Sequence, residues 1–119
     1  MKALAGLRVL DLTHMLSGPY ATMLLADMGA EIIKLEPLHG EATRALLASD
    51  PEHSVDGMGA YFLFLGRNKK SVTLNLKNPD ARPILDALVA RADIVISNFS
   101  GGVADRLGLA HDRLAQLNP

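Results

Sequence analysis

The stretch that decides the fold is LRVLDLTHMLSGPYATMLLADMGAEIIKLE, residues 7–36. Residues 7–13 are a short apolar run rich in β-formers. Ser17-Gly18-Pro19 breaks that run. Residues 20–28 are apolar and helix-favouring, Gly29 stops them, and residues 31–36 form a second apolar strand. Strand, tight turn, helix, glycine stop and strand within about 30 residues is one parallel βαβ unit. In a doubly wound sheet the ligand sits at the turn after the first strand. The turn His14-Met15-Leu16-Ser17-Gly18-Pro19 is therefore where function is sought first.

The helix at 20–28 has only Thr22 and Asp27 as polar positions. A helix apolar nearly all round must be covered on most sides. One face can lie on the sheet; the other calls for a partner subunit or more chain. The alternative is a loosely buried helix in a small domain.

The chain's 119 residues are the size of one domain or part of one. A hydrophobic content of 49% and a charged content of 21% exclude disorder. A net charge of -1 supplies no global field for nucleic acid or a membrane surface. The absence of cysteine rules out disulfides, zinc thiolates and a cysteine nucleophile. It also fits a reducing cytoplasm, the expected location. Arg8 and Asp11 interrupt any signal-peptide core, and no run reaches the ~20 apolar residues of a membrane span.

Residues 37–59 are the least regular part, punctuated by Pro37, Gly40, Pro51, Gly57 and Gly59, with a short helix expected over 41–49. Residues 60–65, AYFLFL, read as a buried helical turn or a strand. Residues 71–76 alternate, with Val72, Leu74 and Leu76 on one face of a half-buried strand. Around them Arg67, Lys69, Lys70 and Lys77 form a basic segment without an acid, either a solvated strand edge or a phosphate-binding surface. Asn78-Pro79 opens a helix, in which Pro83 predicts a late start or a kink. Residues 92–99 are a continuous apolar strand of the kind buried on both faces. Short helices are expected over 103–107 and 111–117. Alternating strands and helices make this an α/β fold with a Rossmann-like, mainly parallel sheet and flanking helices.

Several ligand classes fail on motif. The turn has one glycine where a dinucleotide fingerprint needs G-x-G-x-x-G, and no phosphate-binding P-loop sequence is present. Glu36 stands where a ribose-binding acid would, but strand-ending acids are common. The clustered strand-end acids of a receiver domain are missing. His14, His39, His53 and His111 show no metal-ligand spacing and read as loop or surface residues. Only His14 draws interest, because it lies in the turn. No metal site is expected.

Taken in order, several segments resemble the N-terminal part of the family III CoA-transferases. They are Leu4-x-Gly6-Leu7-Arg8-Val9-Leu10-Asp11-Leu12-Thr13, Ser17-Gly18-Pro19-x-Ala21-Thr22, and Leu25-Ala26-Asp27-x-Gly29-Ala30-x-Ile32-Ile33-Lys34-Leu35-Glu36-Pro37. Asn68-Lys69-Lys70-Ser71-Val72-x-Leu74-x-Leu76-Lys77-x-Pro79, Ala92-Asp93-Ile94-Val95-x-x-Asn98-Phe99 and Asp105-Arg106-Leu107-Gly108 to Asn118-Pro119 follow in family order. The resemblance spans nearly the whole chain. It implies that residues 1–119 are the N-terminal portion of a large Rossmann-like domain in an interlocked homodimer.

It also implies an activity: CoA moves from an acyl-CoA to a carboxylic acid through a catalytic aspartate, with coenzyme A or acyl-CoA as substrate and no covalently held cofactor. Residue by residue, the coenzyme site would use Met15, Leu16 and Ser17 at the turn, Leu74 and Lys77 near the nucleotide, Asn98 and Phe99 at a strand end, and Arg106 toward a phosphate.

Three departures stand out. Pro37 occupies a position where many members have arginine. Gly66-Arg67-Asn68-Lys69 replaces Asn-Arg-Gly-Lys, and Ser100-Gly101-Gly102 lacks a frequent proline. The family's catalytic aspartate lies downstream of Pro119, and no aspartate from Asp11 to Asp112 matches its motif; these read as caps, surface charges and strand-end acids. No catalytic residue is therefore expected in the chain. The other readings are a non-catalytic α/β coenzyme-binding or assembly module, and a fragment of an α-methylacyl-CoA racemase-like enzyme.

Overall fold

The computed structural model describes residues 2–119. The expected βαβ unit is β1 (Arg8–Asp11), α1 (Ser17–Asp27) and β2 (Glu31–Glu36). Gly29, at φ +106, ends α1 in the left-handed conformation that L side chains avoid. Gly18 is needed for another reason: a Cβ there would collide with the side chain of Thr13, so only glycine lets the first turn of α1 sit against the end of β1.

Beyond a 3-10 turn at Ala42–Ala45 come a small antiparallel pair, β3 (Ser54–Val55) and β4 (Met58–Gly59), and helix α2 (Ala60–Gly66). The aromatic run at 60–65 is thus helical. Strand β5 is Lys69–Thr73, shifted two residues N-terminal to the alternation read in the sequence. Its ladder ends where its partner ends, at Glu36 opposite Thr73. A 3-10 turn, Pro79–Ala81, capped by Asn78, precedes α3 (Arg82–Ala90). The late start follows from Pro83: at the second helical position its missing N–H breaks no intrahelical bond. Strand β6 (Ile94–Ile96) and helices α4 (Val103–Arg106) and α5 (His111–Leu117) complete the fold.

The four main strands are parallel, in the order β5-β2-β1-β6. In chain order this is 3-2-1-4, with the reversal between β1 and β6. The expectation that residues 92–99 form a strand buried on both faces needs correction. Only three residues pair, β1 is their one neighbour, and Ile94 is 38% exposed.

The two faces of the sheet are chemically different. Leu10, Leu12, Leu35 and Leu74 pack with Leu85, Val89 and Leu109, with Ile33, Val72 and Val95 against them, under α3 and α5. The opposite face has a smaller apolar cluster of Val9, Ala26, Ala30 and Ile32 under α1. Toward the C-terminal ends of the strands that face turns ionic, with buried Asp11, Lys34 and Glu36. Helix α1 covers this face and leaves Tyr20, Leu24 and Met28 between 42% and 45% exposed, in line with exposed Leu16. That spacing of four is one outward stripe, so within this chain the apolar helix is covered on one side only.

Candidate functional site

In an open parallel sheet the crevice lies outside the carboxyl ends of the strands, where the strand order reverses. Here that point lies between the segments that follow β1 and β6. A cavity of about 440 Å³ opens beside it. Its walls include Leu12 and His14 after β1, Leu35 to His39 around the end of β2, Leu74 to Lys77 after β5, and Phe99 after β6. The His14 ring lies 5.5 Å from that of Phe99.

The turn after β1 is held by side chains on nearly every backbone group. Asn98 Oδ1 accepts from the His14 N–H at 2.8 Å, and Asn98 Nδ2 donates to the His14 carbonyl at 2.7 Å. Lys34 Nζ donates to the Thr13 carbonyl, and the Met15 N–H donates to Glu41 Oε1, each at 2.8 Å. Met15 itself is at φ +67, a left-handed conformation uncommon for a side chain of this size.

Under the turn lies a buried charge network. Burial alone would push the Asp11 carboxyl up, yet hydrogen bonds from the Thr13 and Thr22 hydroxyls, with Lys34 nearby, hold it below the usual carboxylate range. Lys69 Nζ reaches Thr22 Oγ1 at 2.7 Å, the Pro19 carbonyl at 2.9 Å and Asp11 at 3.3 Å. Its burial draws the ammonium's pKa down, with Asp11 opposing. Glu36, also pushed up by burial, is brought to about 2 by Arg44, the Glu41 N–H and the Ser71 hydroxyl.

The predicted site residues therefore separate. Leu74, Lys77 and Phe99 line the cavity. Asn98 does not; it clamps the backbone of the residue that does. Met15, Leu16 and Ser17 are exposed where the turn enters α1, outside the cavity lining. Arg106 is exposed on α4, with Nη1 3.3 Å from where a Cβ on Gly102 would stand, so it flanks the turn after β6; its neighbour Leu107 meets the cavity.

Two readings of charge are corrected. The basic segment is not a free anion surface, because acids from elsewhere meet it: Arg67 pairs with Asp27, Lys69 with Asp11 and Lys70 with Glu31; Lys69 is buried, while Lys70 stands exposed on β5, the edge strand of the sheet. Lys77 alone of the four has no carboxylate partner among the described residues. Asp11 does end β1, but it is fully buried and no surface acid. His39, read as a loop histidine, lines the cavity, and no motif in the sequence points to Glu41.

The model of CoA-transferase family III matches residues 4–119. The chain belongs to that family. It is 48% identical over 118 residues to the formyl-CoA:oxalate CoA-transferase of Streptomyces coelicolor, an alignment covering 99% of this chain and 28% of the relative. Among solved structures it is similar to a CAIB/BAIF family protein from Brucella suis, with a TM-score of 0.89 and 37% identity over 99% of this chain and 31% of that one. Rv3272 from Mycobacterium tuberculosis matches with a TM-score of 0.88 and 39% identity over 100% of this chain and 32% of that one. This family III chain thus spans about 28% of the length of the curated relatives it matches. Its α/β fold, with a mainly parallel sheet and flanking helices, is that of the CAIB/BAIF neighbours. Among the described residues no helix is long and apolar enough to cross a membrane, and no acid–histidine group is arranged to hold a metal.

Proposed function

We propose that these residues are the N-terminal, coenzyme-binding portion of a CoA-transferase that moves CoA between an acyl-CoA and a carboxylic acid. The observation that carries the reading is the cavity beside the sheet's reversal point: a largely apolar crevice lined also by Lys77, which has no acid partner among the described residues. A long acidic coenzyme needs an apolar wall for its base or pantetheine arm and cations for its phosphates. Leu12, Leu35, Leu74 and Phe99 supply the first, and Lys77 the second, with Arg106 at the neighbouring turn a further cation. The loop after β2, with Pro37 where many family members have arginine, also brings His39 to the wall. Met15, Leu16 and Ser17 stand at the turn that faces the coenzyme, and Asn98 fixes the backbone beside it. The attacking aspartate belongs to a segment beyond Pro119. The working protein is a cytoplasmic homodimer.

Titration calorimetry with coenzyme A tests this. Lys77→Ala and Arg106→Ala should each weaken binding several-fold at low salt, and the difference should shrink as salt rises. Unchanged affinity in both variants at low salt removes them as phosphate partners. The chain alone should show no CoA transfer between formyl-CoA and oxalate. Turnover abolished by replacing an aspartate within residues 1–119 would overturn the placement of the nucleophile. A non-catalytic assembly module is the second reading, favoured by the exposed stripe on α1; self-association without coenzyme affinity would select it.

A further inference from the structure

Glu41 lies in the irregular stretch after β2, yet it is among the most buried residues of the chain, 4% exposed. Its side chain reaches back to the turn after β1. One carboxylate oxygen is 2.8 Å from Lys34 Nζ; the other accepts the Met15 N–H at 2.8 Å. Its own N–H is fastened to Glu36 Oε2 at 2.8 Å, and Glu36 is bound in turn by Arg44. The loop is thereby anchored at its root, and the anchor points the Glu41 carboxylate at Met15. Lys34 closes the circuit by donating to the Thr13 carbonyl at 2.8 Å.

The left-handed conformation of Met15 costs on the order of 1 kcal/mol or more for a non-glycine residue, and persists only where surrounding contacts over-determine it. Glu41 is such a contact. Immediately before Met15, His14 lines the cavity, and two residues after it α1 begins. The tether on Met15 therefore sets the direction in which the chain leaves the cavity wall.

We propose that Glu41 is a positioning residue for the coenzyme-facing turn: it holds Met15 in the left-handed conformation and so fixes His14 and the start of α1 in binding-competent places. The role in binding rests on the coenzyme reading above; the tether itself does not. Glu41 touches no ligand in this scheme and acts through the Met15 amide.

The test uses two charge-free double variants, Lys34→Met/Glu41→Gln and Lys34→Met/Glu41→Leu. Both remove the ion pair and the Lys34 bond to Thr13. They differ in that glutamine keeps an acceptor for the Met15 N–H and leucine has none. Amide hydrogen exchange is followed by NMR without ligand, and coenzyme A affinity by calorimetry. In the unaltered protein the Met15 amide should exchange on the order of a hundredfold or more slower than a free amide, although its side chain is exposed. The leucine variant should lose that protection and bind coenzyme A about tenfold more weakly, a difference of about 1.4 kcal/mol. The glutamine variant should retain most of both.

Fast exchange at Met15 in the unaltered protein overturns the tether, and this measurement stands even if neither variant folds. Equal coenzyme affinity in the two variants, with the unaltered protein binding, overturns the positioning role. If the unaltered protein fails to bind coenzyme A, the functional reading falls, while the exchange comparison still decides whether Glu41 holds the turn.

Discussion

Leu10 and Asp11 are neighbours on β1, and both are withdrawn from water, at 2% and 0% exposure. Leu10 joins the apolar face under α3 and α5; Asp11 joins the ionic face under α1 and α2. The apolar face is held by burial, which is roughly proportional to area and has no direction. Such a face fixes how far α3 sits from the sheet but says little about the path of a loop. The ionic face is held by short, directed contacts that must all be satisfied, because an unpaired buried charge is costly. No buried side-chain nitrogen or oxygen among the described residues lacks a partner. Those partners include the backbone of the turn at 13–15, so on this side the core also specifies the site. One sheet thus divides its work, with bulk stability on one face and geometry on the other.

The largest effects are expected at the two adjacent residues of β1. Asp11→Ala would leave Lys69 buried without its acid and should cost about 3–5 kcal/mol. Leu10→Ala should cost about 2–5 kcal/mol through lost burial and a cavity. Urea unfolding checks both. The distinguishing result is rescue: adding Lys69→Met to Asp11→Leu should restore much of the stability, whereas no charge change elsewhere should restore Leu10→Ala. Failure of that rescue would mean the ionic face is not a closed network.

The next effect is smaller and depends on pH. The Glu36 carboxyl lies at about 2 in the fold against an ordinary 4.5. A lowered carboxylate pKa stabilises the fold above the unfolded value, and the stabilisation is lost as pH falls from about 4.5 toward 2. It amounts to on the order of 3 kcal/mol. The unfolding midpoint should therefore drop steeply over that range, and Glu36→Gln should flatten the drop. An equally steep acid limb in the variant would assign it to other carboxylates.

The least effect belongs to the rim. Lys70 and Glu31 form an exposed pair, so Lys70→Ala should leave the unfolding midpoint unmoved. A clear loss would show that the boundary between network and solvent lies further out than these contacts place it.

Much of the apolar face can be read from the chain. Runs of the right length, Gly29 as a stop and Asn78-Pro79 as a start lead to the βαβ unit and to α3, and α5 falls on 111–117 as expected. The ionic face is harder to read, and the reason is physical. Lys34 and Glu36 sit in a strand that looks simply apolar, and whether a charge is solvated or paired depends on what the fold brings to it. The partner of Lys34 comes from an irregular loop; that of Asp11 comes from a strand 58 residues away. A signal does exist: Ile32, Lys34 and Glu36 alternate with Ile33 and Leu35, the period of a strand with one polar face. For the site, resemblance leads to Leu74, Lys77 and Phe99, which meet at the cavity. It does not lead to His39 or Glu41, whose loop departs from the family where Pro37 stands.

The clamp between Asn98 and His14 joins residues 84 apart in the chain. Its consequence is temporal. Local units such as β1–α1–β2 can close early, while a contact this distant in sequence must wait for a large and entropically costly loop to close. During synthesis, which proceeds at roughly 5–20 residues per second, the backbone of His14 is made several seconds before the amide that will hold it. Until Asn98 arrives, water occupies those two hydrogen bonds and the mouth of the crevice has no fixed outline. The mouth of the crevice therefore takes its shape only after the βαβ unit that carries His14.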